Sequence, residues 1–193
     1  MSLDINVYTK DLTDDLIPKI VKRLNEFDMK VEIHPDFSFY DHNGFLPFKF
    51  IFKNTKFENL KNKELISGFE MYIDDFDLYK EINQLSPKLT LFEKIISRKN
   101  KQMYFANPEI DKKLQKCNKV INFVWHSQDS FEMRFASLTS AIISELTNGI
   151  CLYPAENVWY ENNNLSYNSF LEINNFEDKL DENNIKFHLF ESW

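Results

Sequence analysis

Three groups of side chains in this 193-residue chain have types and spacings that could do chemistry. The first is His34-Pro35-Asp36 with Asp41-His42, imidazole and carboxylate pairs of the kind that ligate zinc or a harder ion. Both pairs sit beside turn formers and no third cluster completes a ligand set, so holding tight backbone turns is the expected role. The second is Asp74-Asp75 with Asp77, which follows an apolar alternation at a position where a divalent cation or an acid–base pair would sit. Asp77 directly precedes a helical pattern and reads equally as a helix cap, and no nearby lysine completes a nuclease-like pattern. The third is His126-Ser127, ending an apolar strand, with Cys151 opening the next. Nucleophile and base would have to come within about 3 Å, oriented by Asp129 or Glu156. No G-x-S-x-G elbow or cysteine signature surrounds them, and an isolated cysteine in an apolar strand is expected to be a small core hydrophobe. The only glycines are Gly44, Gly68 and Gly149, so no dinucleotide fingerprint or P-loop can be written and no cofactor is expected. A small metal-dependent hydrolase or nuclease is therefore the alternative function, with no catalytic residue assigned.

Charge points elsewhere. Residues 121–193 carry eleven acidic side chains against three basic ones, residues 48–120 carry fifteen basic against ten acidic, and the whole chain has a net charge of −7. Such polarity creates surface fields that attract partners of opposite sign. The basic stretches Lys53–Lys63, Lys94–Lys101 and Lys112–Lys119 could track a nucleic-acid backbone, but they are diluted by acids and read as solvated faces. The segment Leu152–Glu161 sets Trp159 and Tyr160 among acids in an expected loop after a core strand, and such aromatics are enriched among interface anchors. Lidding the core is the equal alternative for both rings. The expected partner-binding residues are Glu156, Trp159, Tyr160, Glu161, Asp178, Asp181 and Glu182, facing a basic protein partner.

The elements that must position these groups follow from periodicity. Leu3, Ile5 and Val7 alternate as a strand whose edge or central place is open. Thr13-Asp14-Asp15 caps a helix to about Phe27, with Pro18 limiting its start. Lys30–Ile33, Phe37–Tyr40 and Phe45–Phe52 read as strands around Asn43-Gly44, which predicts a hairpin over residues 37–52. Leu65–Phe76 is another alternating strand. Residues 78–101 read as helix in pieces broken at Pro87, the second piece carrying Leu91, Phe92, Ile95 and Ile96. Asn107-Pro108 opens a short helix to about Lys116. Val120–Trp125 is an apolar strand, Asp129 or Ser130 caps a long helix through Leu146, Asn148-Gly149 stops it, and Ile150–Tyr153 is the next strand. This strand–helix–strand unit suits a parallel crossover. A loop at Glu161–Asn164, a helix near Ser169–Leu180 and a strand at Ile185–Phe190 complete the chain. The expected fold is one α+β domain over residues 1–193, with a mixed, mainly antiparallel sheet and helices packed on one side.

The length suits a single core, and nineteen Phe supply large buried area where Ala and Val are few. Cys117 and Cys151 are too few for a disulfide scaffold and are not spaced as a redox pair, so a reducing cytoplasm is the expected location. Met1–Asn6 lacks the basic start and apolar run of a signal peptide, and nowhere do 18 apolar residues run together, so no membrane contact is expected.

The run from Phe135 through Thr147-Asn148-Gly149, Ile150-Cys151-Leu152-Tyr153-Pro154 and Trp159-Tyr160 resembles uncharacterised bacterial α+β proteins. Some of these accompany secreted toxins as immunity proteins of polymorphic-toxin or contact-dependent inhibition systems. The resemblance covers under a fifth of the chain and carries no catalytic residue. It implies an acidic cytoplasmic protein that blocks a basic toxin, often a nuclease.

Overall fold

The computed structural model describes residues 1–85, 103–161 and 164–193. Seven strands, β1 (Ser2–Thr9), β2 (Met29–Ile33), β3 (Gly44–Phe52), β4 (Leu65–Asp75), β5 (Lys119–His126), β6 (Ile150–Tyr153) and β7 (Val158–Tyr160), form one sheet in the order β2-β3-β4-β5-β1-β6-β7. Every pairing in it is antiparallel. The described helices are α1 (Ile17–Leu24), α2 (Leu78–Leu85), α3 (Pro108–Leu114), α4 (Ser130–Thr147) and α5 (Leu165–Glu177). The chain is thus an α+β fold built on a single sheet.

β1 is central, paired with β5 on one side and β6 on the other. Because β5 and β6 each run antiparallel to β1, they are parallel to each other, and α4 crosses over β1 to join them. Asp129 caps α4, its Oδ1 accepting the amides of Phe131 and Glu132 at 2.9 Å each. Asn148, in the left-handed conformation at φ 51°, ends it. α4 is apolar on most of its surface because it is buried on several sides: the sheet lies beneath it, and α1 and α5 flank it. Phe135 stacks on Phe48 with centroids 4.7 Å apart and meets Phe50 at 4.8 Å, while Phe131 meets Phe50 at 5.3 Å. Each such pair adds about 0.5–1.5 kcal/mol beyond its buried area.

The opposite face of the sheet is covered only in part. Tyr8, Phe76, Leu78, Ile110, Leu114, Ile150 and Leu152 form a second, smaller cluster there, roofed by α2 and α3. Alternation explains the division: on β1, Val7 enters the main core and Tyr8 the second cluster.

Several local expectations change. The hairpin joins β2 to β3, from Met29↔Phe52 to Ile33↔Phe48, and residues 37–40 are turn and irregular chain rather than strand. Asp14 is the reason: instead of capping a helix, its carboxylate accepts the Phe39 amide and the Ser38 hydroxyl, both at 2.8 Å, and holds this segment off the ladder. The helix expected near 169–180 is α5, shifted toward the N-terminus. Ile185–Phe190 joins no strand ladder, because its backbone bonds go elsewhere. The Lys186 carbonyl accepts the Ser130 amide at 2.9 Å, the His188 amide donates to Asp129 Oδ2 at 2.6 Å, and the Phe190 amide donates to the Ile66 carbonyl at 2.9 Å. The second helical piece, with Leu91, Phe92, Ile95 and Ile96, lies outside the described residues, as does part of the loop at 161–164.

Candidate partner-binding face

The residues singled out for chemistry disperse into structural roles. His34 Nδ1 accepts the Asp36 amide at 3.2 Å while its ring meets Trp193, and His42 packs on Phe37 and donates from Nε2 to the Gly44 carbonyl at 3.1 Å. Burial pushes the His42 pKa below its ordinary value. Asp77 Oδ1 caps α2, accepting the Tyr79 and Lys80 amides at 2.9 and 3.2 Å. Asp75 pairs with Lys119 Nζ at 2.7 Å, which holds its carboxyl below the usual carboxylate range. Among the described residues no three His, Cys, Asp or Glu side chains gather as a metal-ligand set.

His126 and Cys151 do not meet. On β1, His126 stands opposite Ser2 and Cys151 opposite Val7, five residues along a strand and roughly 17 Å away. His126 bonds Glu132 Oε2 through Nδ1 at 2.9 Å, and Asp129 is committed to capping α4. Cys151 lies in the main core, where burial raises its thiol to about 12, so it is an inert hydrophobe.

The expected partner-binding set is divided by the sheet. Trp159 packs on the second cluster, stacked on Tyr8 at 5.7 Å and edge-on to Phe105 at 6.0 Å. Tyr160 is paired with Cys151, so it points to the other, helix-covered side, where burial and Glu172 raise its pKa. Glu161 is ion-paired with Lys113, and Glu156 is exposed beside β7. The remaining three lie past α5. The Asp178 carbonyl accepts Lys56 Nζ at 2.8 Å, Asp181 Oδ1 accepts the Asn183 and Asn184 amides, and Glu182 accepts the Glu58 amide at 3.1 Å. Lys56 and Glu58 follow β3, five strand spacings or roughly 24 Å from β7. The expected partner-binding acids therefore fall into two groups rather than one face.

What the structure does bring together is a patch of open sheet. The β1, β5 and β4 registers set three rows on the face away from α4: Asp4–Val124–Glu70, Asn6–Asn122–Tyr72 and Tyr8–Val120–Asp74. Asn122 Nδ2 donates to Asn6 Oδ1 at 2.7 Å, and the Tyr72 hydroxyl donates to Glu70 at 3.0 Å, a bond that raises the Tyr72 pKa. Over the last two rows lies a cleft of about 500 Å³, walled by Phe76 and Phe105 and edged by Asp74, Asp75 and Glu81. Among the described residues no Lys or Arg lines it. A neighbouring hollow of about 630 Å³ lies over the first row, between Glu70, His126, His188 and Phe190.

Asp4, Asn6, Glu70, Glu81 and Asn122 were not singled out from the sequence, although their signal is present. Asp4, Asn6 and Tyr8 are the alternate partners of Leu3, Ile5 and Val7, so they must occupy one face of their strand. Which strands flank them, and that α2 and α3 roof Tyr8, is tertiary information. No helix among the described residues is long and apolar enough to cross a membrane. Comparison of the chain with protein-family models, curated proteins and solved structures gives no match.

Proposed function

We propose that this chain is a protein-binding inhibitor, an immunity protein that neutralises a basic toxin domain in the cytoplasm, and that it docks through the open face of β4, β5 and β1. One observation carries the reading: on the face away from α4, strands β1 and β4 bear Asp4, Glu70, Asp74 and Asp75 and the neighbouring α2 adds Glu81, with Lys119 their one ion-paired cation among the described residues. A covered sheet would bury such acids at prohibitive cost, and an uncovered one is free to meet a cationic surface. Trp159 contributes as a wall of the second cluster rather than as a free anchor. Glu156 and Glu161 extend the acidic field toward β7, while Asp178, Asp181 and Glu182 lie apart from the face.

The test is co-expression with the product of the adjacent gene, followed by purification at low and high salt and a growth assay of toxicity. A complex that weakens with salt and abolishes toxicity is expected, and Asp4→Lys with Glu70→Lys should slow association by about tenfold or more. A neighbour that is neither bound nor neutralised, or binding indifferent to both salt and charge reversal, would sink the proposal.

A further inference from the structure

We infer that the outer edge of β7 is a docking site for an extended segment of that partner, bearing Lys or Arg, which adds to the sheet as a further strand. The assignment rests on the reading above and names the form the partner takes at the end of the sheet. Bond directions identify the edge. The Phe76 amide donates to the Asn118 carbonyl at 2.8 Å, one step past the Asp75↔Lys119 pair, so the even-numbered residues of β4 and β5 bond each other. Direction alternates along an antiparallel strand. Carried by register through β1 and β6, the alternation bonds Val158 and Tyr160 to β6 and turns the Trp159 N–H and C=O outward. Carried the other way, through β3, it turns Val31 outward on β2, where the Asn25 side chain takes both groups. One edge of the sheet is thus closed by a side chain, while the outward groups of the other meet no hydrogen-bond partner among the described residues. An unblocked edge is a template for strand addition.

Charge selects the occupant. Tyr160 is 39% exposed on the helix-covered side, and burial, then Glu172 and Glu156, raise its pKa, which puts both carboxylates beside the edge. Both acids are exposed, and neither is ion-paired among the described residues, whereas the nearby Lys113 is already held by Glu161. A second copy of the chain would bring another Glu156 and Glu172 to the same edge, with a net charge of −7 on each molecule, so self-pairing is opposed. A strand with Lys or Arg opposite Val158 and Tyr160 meets these carboxylates instead and bonds the Trp159 backbone. In such additions the main-chain bonds supply affinity and the alternate side chains supply choice of partner. β7 lies two strand spacings, about 10 Å, from β1. The edge therefore continues the surface formed by the open face of β4, β5 and β1.

Amide hydrogen exchange of the full chain, alone and in complex with the adjacent-gene product, tests this directly. The Trp159 amide should exchange freely in the chain alone and slow by about tenfold or more in the complex, while the Val31 amide, already bonded, changes by less than about threefold. Glu161→Pro removes the next outward N–H without touching the bonds to β6 and should weaken the complex by about tenfold or more. Glu161→Gln loses the same charge, keeps the N–H and should weaken it by less than about threefold. Glu156→Lys with Glu172→Lys should weaken it by about tenfold or more at low salt. Amide spectra report whether each variant is folded. A neutralising complex in which the Trp159 amide exchanges as in the free chain, or which is indifferent to Glu161→Pro or to the double charge reversal, overturns this inference and leaves the inhibitor reading standing. A Trp159 amide already protected in the chain alone overturns it too: protection that grows with concentration gives the edge to a second copy, and protection that does not gives it to the chain itself. If the adjacent-gene product is neither bound nor neutralised, the reading fails and takes this inference with it.

Discussion

Asp129 shows how much one side chain can be asked to hold. Its two oxygens accept three backbone amides, those of Phe131 and Glu132 in the first turn of α4 and that of His188 in the C-terminal segment. Asp129→Ala removes a cap worth about 0.5–2 kcal/mol and leaves the His188 amide without its partner, at about 1–3 kcal/mol if that group stays buried. We expect a loss of about 2–4 kcal/mol in urea unfolding, and a smaller loss for Asp129→Asn, whose single oxygen can still serve the helix. The sequence offered Asp129 or Ser130 as the cap from local spacing. The bond to His188, 59 residues away, had no local signal. The same limit applied at His34, His42, Asp75 and Asp77, whose types suggested ligands and whose neighbours gave each a different structural task.

At the scale of elements, α4 and α5 are clamped by Arg134. Its guanidinium donates to both oxygens of Glu177, at 2.9 and 2.6 Å, and lies over the rings of Phe52 and Phe170. The Arg134 side chain is 4% exposed, so removing one member strands a buried charge. Arg134→Ala should cost about 3–5 kcal/mol, whereas Arg134→Met combined with Glu177→Leu should return stability to within about 1–2 kcal/mol of the parent. Urea titrations of the parent, single and double variants separate the two outcomes. The edge of the sheet nearby uses a different device: Asn25 bonds both the amide and the carbonyl of Val31, at 3.0 and 3.3 Å, which occupies the outer edge of β2 and discourages further strand addition. Periodicity predicted α4, β4, β5 and β6 closely, because each is a long or strongly apolar run. It misplaced the first hairpin because Phe37 and Phe39 look like strand residues while Asp14, far away in sequence, decides their backbone.

The molecule as a whole is closed by its last residues. Ile185, Phe187 and Leu189 pack against the main core, with Phe187 stacked on Phe131 at 4.6 Å. Phe190 then meets Phe45, and Trp193 meets Lys49 and His34, on the β3 part of the sheet. Ending the chain at Asn183 should cost roughly 2–4 kcal/mol, about half the full-burial value for three half-buried apolar side chains. Urea unfolding of the full and shortened chains measures this apolar loss, to which the missing His188–Asp129 bond adds.

Composition and periodicity by themselves determined an α+β chain with a Phe-rich core, a strand–helix–strand unit over residues 120–153, and a surplus of acid that favours cationic partners. These are local or additive properties, and side-chain direction within one strand or helix follows from backbone geometry alone. Only the tertiary structure decided that β1 is central, that Trp159 and Tyr160 lie on opposite faces, and that Asp4, Glu70 and Asp74 share the face away from α4. Strand order joins residues more than a hundred positions apart, such as Asn6 and Asn122, and no local propensity encodes which face a helix will leave bare.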